Sequence, residues 1–299
     1  MIRKLTQILS LVTLCLASLS GHVFAGGASP IMVELTTIGE AEALTAGIGS
    51  SKNSSQSAPD IEESASSNGG FGAWLSARHN SYEAIIGFNR LDGTGREISL
   101  GLEKQLTPDL LVGVALSKQD YAIGSARSQA SSYAPYLSYE LANILKLDLA
   151  YGMGKATHSN ANPDQGREFL FAKAQFFGAE FGSLTISPFA SIIDAEQDRT
   201  FQSHIDVFRY QFGTDIKFPI GNWNSYFRIA WDKKVSNTVV TVGPPTPVII
   251  EQYKTRGYSF GFGGSTQIGN AVLSAKITHD GYLRDADSTS LAVTLTGTF

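Results

Sequence analysis

Two short motifs in the sequence contain residue types that hydrolases use. His79, Asn80 and Ser81 place a histidine and a serine two positions apart, so in a strand both side chains would leave the same face. A histidine beside a serine hydroxyl can act as the base that activates it for nucleophilic attack. The sequence offers no third polar group to orient the histidine, and the simpler interpretation is a polar break in a strand.

Two further pairs could hold and activate a water molecule. His204 and Asp206 lie near a predicted strand end, and Asp285 and Asp287 lie in the last predicted loop. We interpret both pairs as solvated loop charges. The chain has five scattered histidines and one cysteine, Cys15, which favours no dedicated zinc site. We therefore expect no cofactor, no metal and no catalytic activity.

The elements that position these residues are predicted to be strands, because apolar side chains recur at every second position in many segments of the chain. In the clearest segment, Leu145, Leu147, Leu149, Tyr151 and Met153 alternate with polar or small residues. A helix would distribute those apolar residues all round its surface, so the period of two indicates a strand. Similar segments predict about twelve strands, near 72–91, 96–105, 110–121, 130–140, 145–155, 168–177, 184–194, 204–217, 223–234, 254–267, 270–282 and 288–299.

Charged residues occupy the second face of several predicted strands. A Lys or Arg that faces lipid at mid-membrane costs about 2–4 kcal/mol, so these residues are expected to face a lumen. The predicted lumen-lining residues are Glu103, Lys146, Asp148, Lys173, Arg209, Asp215, Lys217, Arg228, Asp232 and Lys276. Two roles stay open for them: a salt-bridge network across the lumen, or a lining that tunes solute passage or holds a luminal helix.

Charge and hydropathy exclude two classes of protein. The formal net charge is −4, which argues against a nucleic-acid partner. After the N-terminal segment there is no unbroken apolar run of about 18 residues, so helical membrane spans are excluded.

The predicted connections differ in length at the two ends of the strands. Thr107–Asp109, Ile220–Asn222 and Ile268–Asn270 are short, whereas the alternate links, above all Val235–Gln252, are longer and polar or proline-rich. Outer-membrane barrels sort their connections in this way, with the short turns in the periplasm. A soluble β-sandwich has no reason to do so.

The N-terminal 70 residues are not part of the strand pattern. Residues 1–25 resemble a secretory signal peptide, with a basic start, a short apolar core and small residues before a predicted cleavage after Ala25. Residues 31–47 predict one modest helix whose polar positions are Glu34, Glu40 and Glu42, and residues 49–70 read as a Ser-rich linker. Two hypotheses stay open for residues 26–70: a disordered tail, or a plug or anchor inside the lumen.

The C-terminal segment predicts the closing strand of a barrel. Leu291, Val293, Leu295 and Phe299 lie on one face of Ser290–Phe299, and we predict that these four residues form the assembly signal.

The order of several short motifs resembles the translocator β-domain of autotransporters. These motifs are Trp74, Ile98–Glu103, Leu111–Ser117, Pro135–Tyr139, Leu147–Gly152, Ile186–Ala190, Tyr226–Trp231 and the terminal Phe299. The resemblance covers residues 71–299 and implies a twelve-stranded outer-membrane barrel, a helix that threads the lumen, and a C-terminal signature read by the assembly machinery. Autotransporters usually carry a large passenger, whereas only residues 26–70 lie between the predicted signal peptide and the barrel in this chain. Gly297 also departs from the family pattern, because it occupies an outward position where family members more often have a larger apolar residue.

These observations predict an all-β fold, a closed antiparallel transmembrane β-barrel of about 12 strands. The expected function is a pore for export or anchoring of the short N-terminal segment, after Sec-type export through the periplasm to the outer membrane. The alternatives are a small diffusion porin or structural surface protein and, third, an outer-membrane hydrolase similar to omptins or phospholipases. The expected partners are outer-membrane lipid, the barrel assembly machinery and periplasmic chaperones, with no nucleic acid, and the chain is expected to be a monomer.

Overall fold

The computed structural model describes most of the chain after residue 70 and a few residues before it. The described residues are 37–39, 41–42, 48, 70–86, 89–142, 144–158, 165–199, 203–241, 247–282 and 286–298. The predicted signal peptide, Glu34, Glu40, linker residues 49–69, Asp285 and Phe299 lie outside these ranges.

The chain forms one antiparallel sheet that closes on itself. Its strands are β1 Phe71–Ile86, β2 Asn89–Gln105, β3 Leu110–Ile123, β4 Ala126–Leu141, β5 Leu145–His158, β6 Gln165–Phe176, β7 Ala179–Phe181, β8 Leu184–Arg199, β9 Ser203–Ile220, β10 Trp223–Thr241, β11 Pro247–Ile268, β12 Ala271–Tyr282 and β13 Ala286–Thr298. β13 pairs with β1 from Gly72↔Thr298 to Ala84↔Ala286, which closes the barrel.

The short strand β7 continues β6 after a break at Phe177 and Gly178. Both pair with β8, β6 from Arg167 to Gln175 and β7 from Ala179 to Phe181. Gly178 adopts a positive φ of 30° at the break, a conformation that glycine tolerates best. With β6 and β7 counted together the barrel has twelve strands, so the predicted fold class is confirmed. The three residues that follow the break, Ala179–Phe181, stay in the sheet.

The outer surface of the barrel carries an apolar band. Large apolar side chains that alternate along the strands are exposed, and they include Leu100, Leu116, Leu149, Phe212, Phe262 and Leu291. A closed sheet satisfies its backbone hydrogen bonds within itself, which hydrocarbon requires of any spanning structure. Together the band and the closure identify an outer-membrane β-barrel. Among the described residues, no helix is both long and apolar enough to cross a membrane.

The inner surface combines small residues with a few large ones. Trp74 is buried and lies beside Gly101 of the neighbouring strand, where a Cβ atom would collide with the indole ring. Glycine at this position therefore makes room for a tryptophan inside the barrel.

The two ends of the barrel can be distinguished by their turns. We call the end with the tight turns at Gly221 and Gly269 the inner end and the opposite one the outer end.

Strands extend further toward the outer end than the sequence predicts. The proposed loop Val235–Gln252 is mostly strand, since β10 and β11 pair from Val235↔Lys254 to Thr241↔Pro247, with a register shift between Thr238 and Val239. Residues 242–246 connect the two strands. The predicted loop was wrong because hydrogen bonding between strands continues beyond the apolar band, where alternation of apolar and polar residues stops.

The first predicted strand, 72–91, also needs correction. β1 ends at Ile86, and β2 begins at Asn89, so the last predicted residues belong to the second strand. The expected break near His79 and Asn80 is wrong, because Asn80 pairs with Ser290 on one side and Gly95 on the other. The expected long outer links are in several cases short, and β3 and β4 are joined through Gly124 and Ser125 alone.

Candidate functional site

The lumen of the barrel is the candidate site, since it collects the charged residues. Cavity-lining positions are occupied by Lys146, Asp148, Lys173, Arg209, Asp215, Lys217, Arg228 and Lys276. The other two predicted lumen-lining residues, Glu103 and Asp232, are buried. Glu103 accepts a hydrogen bond of 3.0 Å from the Tyr136 hydroxyl, which in turn accepts one of 2.9 Å from Trp74 Nε1.

Two arginines on the wall hold carboxylates in close contact. Arg228 binds Asp215 through two parallel hydrogen bonds, Nε to Oδ1 at 2.6 Å and Nη2 to Oδ2 at 2.7 Å. Arg209 donates from Nε to Asp232 Oδ2 at 2.8 Å, and its Nη2 lies 3.7 Å from Asp280 Oδ1. The two parallel hydrogen bonds between Arg228 and Asp215 fix the geometry of the pair as well as its charge. A weaker pair joins Lys146 Nζ and Asp148 Oδ1 at 3.6 Å.

A short piece of the N-terminal region lies inside the lumen. Residues 37–39 and 41–42 are helical, and the Glu42 carboxylate is held between two wall residues. Arg78 Nη2 donates to Glu42 Oε2 at 2.6 Å, and Arg209 Nη1 binds Glu42 Oε1. Arg78 also donates from Nη1 to the Gly39 carbonyl at 3.1 Å. One carboxylate thus links the segment to β1 and to β9.

The luminal segment is packed as well as charged. Ile38, Ala41 and Ile48 are buried in one cluster with side chains of the wall, among them Ala115 and Phe169. A Cβ atom on Gly39 would lie 2.5 Å from the Tyr121 hydroxyl oxygen, so the segment approaches the wall as closely as glycine allows. We conclude that these residues occupy a fitted position in the lumen.

The segment runs from the outer end toward the inner end. Thr37 accepts a hydrogen bond of 2.5 Å from Arg167 Nη2, near the outer end of β6. Ile48 lines a cavity in the inner half. Gly70, which precedes β1, accepts a backbone hydrogen bond of 3.3 Å from Gln105 at the inner end of β2. Thr37, Ile48 and Gly70 therefore lie in this order from the outer end toward the inner end.

An open cavity of about 670 Å³ lies beneath the segment. Its lining includes Glu42 and Ile48 above and Lys217, Pro219 and Asn224 near the inner turns. Among the described residues, the luminal segment occupies the outer half of the lumen and leaves this cavity in the inner half.

The two residues of the serine–histidine motif lie on the outer surface of β1. His79 and Ser81 are exposed, while their strand neighbour Asn80 is buried. Both therefore lie on the face opposite to the lumen. Neither has a hydrogen bond to the other among those of the described residues.

The pair His204 and Asp206 has a third residue beside it that the sequence did not suggest. His204 Nε2 lies 3.3 Å from Asp206 Oδ1, and His204 Nδ1 lies 3.9 Å from Glu196 Oε1 on the preceding strand. The potential ligand atoms of the three residues are all within 4.8 Å of one another. They lie beyond the apolar band, where burial raises the pKa of the Glu196 carboxyl, His204 opposes the rise and Asp206 adds to it. These contacts are ion pairs when His204 is protonated, and such pairs near the surface contribute little to stability. In the pair Asp285 and Asp287, Asp285 lies outside the described residues, and Asp287 is exposed in β13.

Three of the four proposed assembly residues, Leu291, Val293 and Leu295, lie on the lipid-facing side of β13, and Phe299 lies outside the described residues. Leu291 and Val293 are exposed, whereas Thr294 and Thr296, on the opposite face of the strand, are buried. An added Cβ at Gly297 would meet no atom within 4 Å.

The sequence did not single out Arg78 or Arg167, although both hold the luminal segment. Arg78 falls on the inward face of β1 with Trp74, Ser76 and Asn80, so the alternation itself could have identified it. Arg167 likewise falls on the inward face of β6 with Phe169, but its contact with the segment depends on the height of Thr37 in the lumen, which the alternation does not give.

Solved structures with similar folds include autotransporter translocator domains. The translocator domain of autotransporter NalP from Neisseria meningitidis matches at a TM-score of 0.54 and 11% identity, over 88% of this chain and 98% of that one. The β-domain of the Bordetella autotransporter BrkA matches at a TM-score of 0.56 and 11% identity, over 77% and 99%. An outer membrane channel from Pseudomonas putida F1 matches at 0.51 and 10%, over 81% and 100%.

At these identities the comparisons establish a shared fold. The expected likeness to autotransporter translocator β-domains is confirmed at that level. No protein-family profile matches the chain, and no curated protein matches it.

Proposed function

We propose that this outer-membrane barrel carries its own N-terminal segment through the lumen and anchors it there, so that the residues before Thr37 reach the outer face of the membrane. The observation that carries the proposal is the Glu42 carboxylate held by both Arg78 and Arg209. The direction of the segment, from Arg167 near the outer end to the cavity near the inner end, supports export of the part that precedes it.

The proposed mechanism is physical. The closed sheet isolates the lumen from lipid, the wall arginines neutralise Glu42, and the apolar positions Ile38, Ala41 and Ile48 are covered by the wall. Each contact made inside the lumen lowers the free energy of the inserted segment relative to the withdrawn one. The segment therefore both closes the outer half of the pore and is displayed by it.

An epitope tag inserted after Gly27 tests this proposal. Intact cells that express the tagged protein are expected to bind the tag antibody. The same tag at Gly221 in an inner turn is the negative control. A tag inserted between β10 and β11, whose flanking residues Thr241 and Pro247 lie at the outer end, is the positive control. An N-terminal tag that becomes detectable only after the outer membrane is permeabilised would rule out display.

A second candidate function is passage of small solutes. The hollow inner half of the lumen favours it, and the similar fold of the Pseudomonas putida channel is compatible with it. Deletion of residues 26–70 separates the two proposals in planar bilayers. A larger conductance after the deletion supports a plug, whereas an unchanged conductance would exclude one.

We further propose that the protein is not an enzyme. His79 and Ser81 face outward without a hydrogen bond between them, and the contacts of His204 are accounted for by ion pairs. Purified wild-type protein is expected to hydrolyse neither phospholipid nor peptide substrates. Activity that is lost in Ser81→Ala or Asp285→Ala protein would contradict this proposal.

The proposed partners follow from the surface and the assembly route. Lipid covers the apolar band, and the barrel assembly machinery and periplasmic chaperones deliver the chain as a monomer. Chemical crosslinking during secretion would detect these contacts.

A further inference from the structure

The inner cavity has more positive than negative groups, and its carboxylates are already engaged. Glu42 binds Arg78 and Arg209, Asp215 binds Arg228, and Asp148 lies beside Lys146. Three cavity-lining lysines remain: Lys173, Lys217 and Lys276. Within the described part of the chain, none of these three lies within 4.0 Å of a carboxylate oxygen.

Neighbouring groups orient Lys173 although none of them forms an ion pair with it. Lys173 Nζ donates a hydrogen bond of 2.9 Å to Gln175 Oε1 and lies 5.3 Å from the centre of the Phe189 ring. Arg228 also lies beside the Phe189 ring, with its guanidinium carbon 4.5 Å from the ring centre. A cluster of positive groups in a low-dielectric enclosure raises the local concentration of anions.

The three lysines converge on one space from different parts of the wall. Lys173 belongs to β6, Lys217 to β9 and Lys276 to β12, and the cavity between them has a volume of about 670 Å³. This volume is within the range of about 300–1,000 Å³ that small-molecule sites occupy. Aromatic lining from Phe189 and Tyr226 suits an organic framework between the charged groups.

We propose that the inner cavity binds a small organic polyanion that carries two or more carboxylate or phosphate groups, with Lys173, Lys217 and Lys276 as the binding residues. Glu42 and Ile48 of the luminal segment line the upper part of the cavity, but all three proposed binding lysines belong to the barrel wall. Failure of N-terminal display and failure of anion binding would therefore be separate results.

Calorimetric titration of the purified full-length protein in nonionic detergent tests the proposal. The probes are citrate for carboxylates, pyrophosphate for phosphates, and glucose as a neutral molecule, at constant ionic strength. At least one anion is expected to bind saturably while glucose does not, and the difference between citrate and pyrophosphate identifies the preferred group.

The decisive variant replaces all three lysines by glutamine: Lys173→Gln, Lys217→Gln and Lys276→Gln. Its affinity should fall at least about 100-fold, since one charge-assisted hydrogen bond contributes about tenfold. The matched control changes three outward lysines, Lys118→Gln, Lys155→Gln and Lys254→Gln, and removes the same net charge outside the lumen. If the triple luminal variant does not fold, Lys217→Gln at the exposed mouth is used alone, with an expected loss of about tenfold.

Equal binding by the luminal and control variants would overturn the proposal, as would absence of anion binding to the wild type. The sequence between Ile48 and Gly70 also contains Asp60, Glu62 and Glu63. Binding that appears only in an Asp60→Asn, Glu62→Gln, Glu63→Gln variant would show that the chain's own acids compete for the lysines, and it would overturn the assignment to a solute.

Discussion

Arg78 and Arg209 reach from separate parts of the barrel wall to the same carboxylate. Arg78 lies on β1 and Arg209 on β9, five strands away in the order β9, β10, β11, β12, β13, β1, and each binds one oxygen of Glu42. Arg209 is also bound to Asp232 on its own side of the barrel. The luminal segment is thus connected to a pre-existing ion pair of the wall, and its removal leaves Arg209 with a partner.

Weakening of this link should open the lumen. Glu42→Gln removes the negative charge but keeps the shape, and Glu42→Lys adds repulsion from both arginines. A hydrogen bond to a charged group contributes about 1.5–3 kcal/mol, so we expect the open probability in planar bilayers to rise at least about tenfold in Glu42→Gln protein.

The rise should be larger for Glu42→Lys than for Glu42→Gln. The control is Glu168→Gln, an exposed outward position on β6. Identical single-channel records for wild type and Glu42→Lys would show that Glu42 does not hold the segment.

Close packing of Gly39 against Tyr121 gives a prediction that does not depend on charge. In Gly39→Ala protein the new methyl group would lie 2.5 Å from the Tyr121 hydroxyl oxygen but 3.5 Å from the ring carbon that carries it. We therefore expect Gly39→Ala to increase conductance and the additional change Tyr121→Phe to restore the wild-type value, because it removes only the colliding atom.

Tyr121→Phe alone is the control for this rescue, with conductance near that of wild type. An unaltered conductance in Gly39→Ala protein would mean that the segment can move away from Tyr121 without cost.

Much of the barrel could be predicted from the sequence because lipid imposes a strict alternation. Leu147 and Leu149 on one side and Lys146 and Asp148 on the other can be assigned to faces without any knowledge of their partners. Beyond the apolar band both faces of a strand meet water, so the constraint vanishes. This is why the sequence predicts a loop where the strands around Val235 and Gln252 continue.

The contacts of the luminal segment are harder to predict than the wall that surrounds it. Glu42 could be expected to meet basic residues, but its choice of Arg78 and Arg209 depends on how deep the helical residues lie. Glu196 likewise approaches His204 only because β8 and β9 pair in a particular register, with Asp198 opposite His204. Periodicity along one strand contains no information about that register.

The buried chain from Trp74 through Tyr136 to Glu103 should contribute to barrel stability. Tyr136→Phe leaves the buried indole N–H without its acceptor and Glu103 without this donor. We expect a decrease of about 1–3 kcal/mol in the free energy of unfolding, measured by urea titration in detergent.

A tyrosine on the opposite face of the same strand provides the matched control. Tyr133 is exposed, with a 3.7 Å contact from its hydroxyl to the Met153 sulfur. Tyr133→Phe should change the free energy of unfolding by less than about 0.5 kcal/mol, as is usual for surface substitutions. Similar losses in the two variants would indicate that burial of the polar chain has no special role.

Variants of the C-terminal strand can distinguish recognition of the terminal aromatic residue from a general requirement for apolar side chains. Leu291 and Val293 already face outward, and open space surrounds Gly297, so Gly297→Tyr can be accommodated without displacement of another side chain. Deletion of Phe299 should therefore reduce insertion into the outer membrane far more than Gly297→Tyr does, because it removes the terminal aromatic residue that we predict the assembly machinery reads. The measurement is the fraction of heat-modifiable folded barrel in outer-membrane preparations at matched expression. Equal fractions for wild type and the deletion would contradict the assembly-signal prediction, and a defect in Gly297→Tyr alone would locate the sensitive position at residue 297 instead.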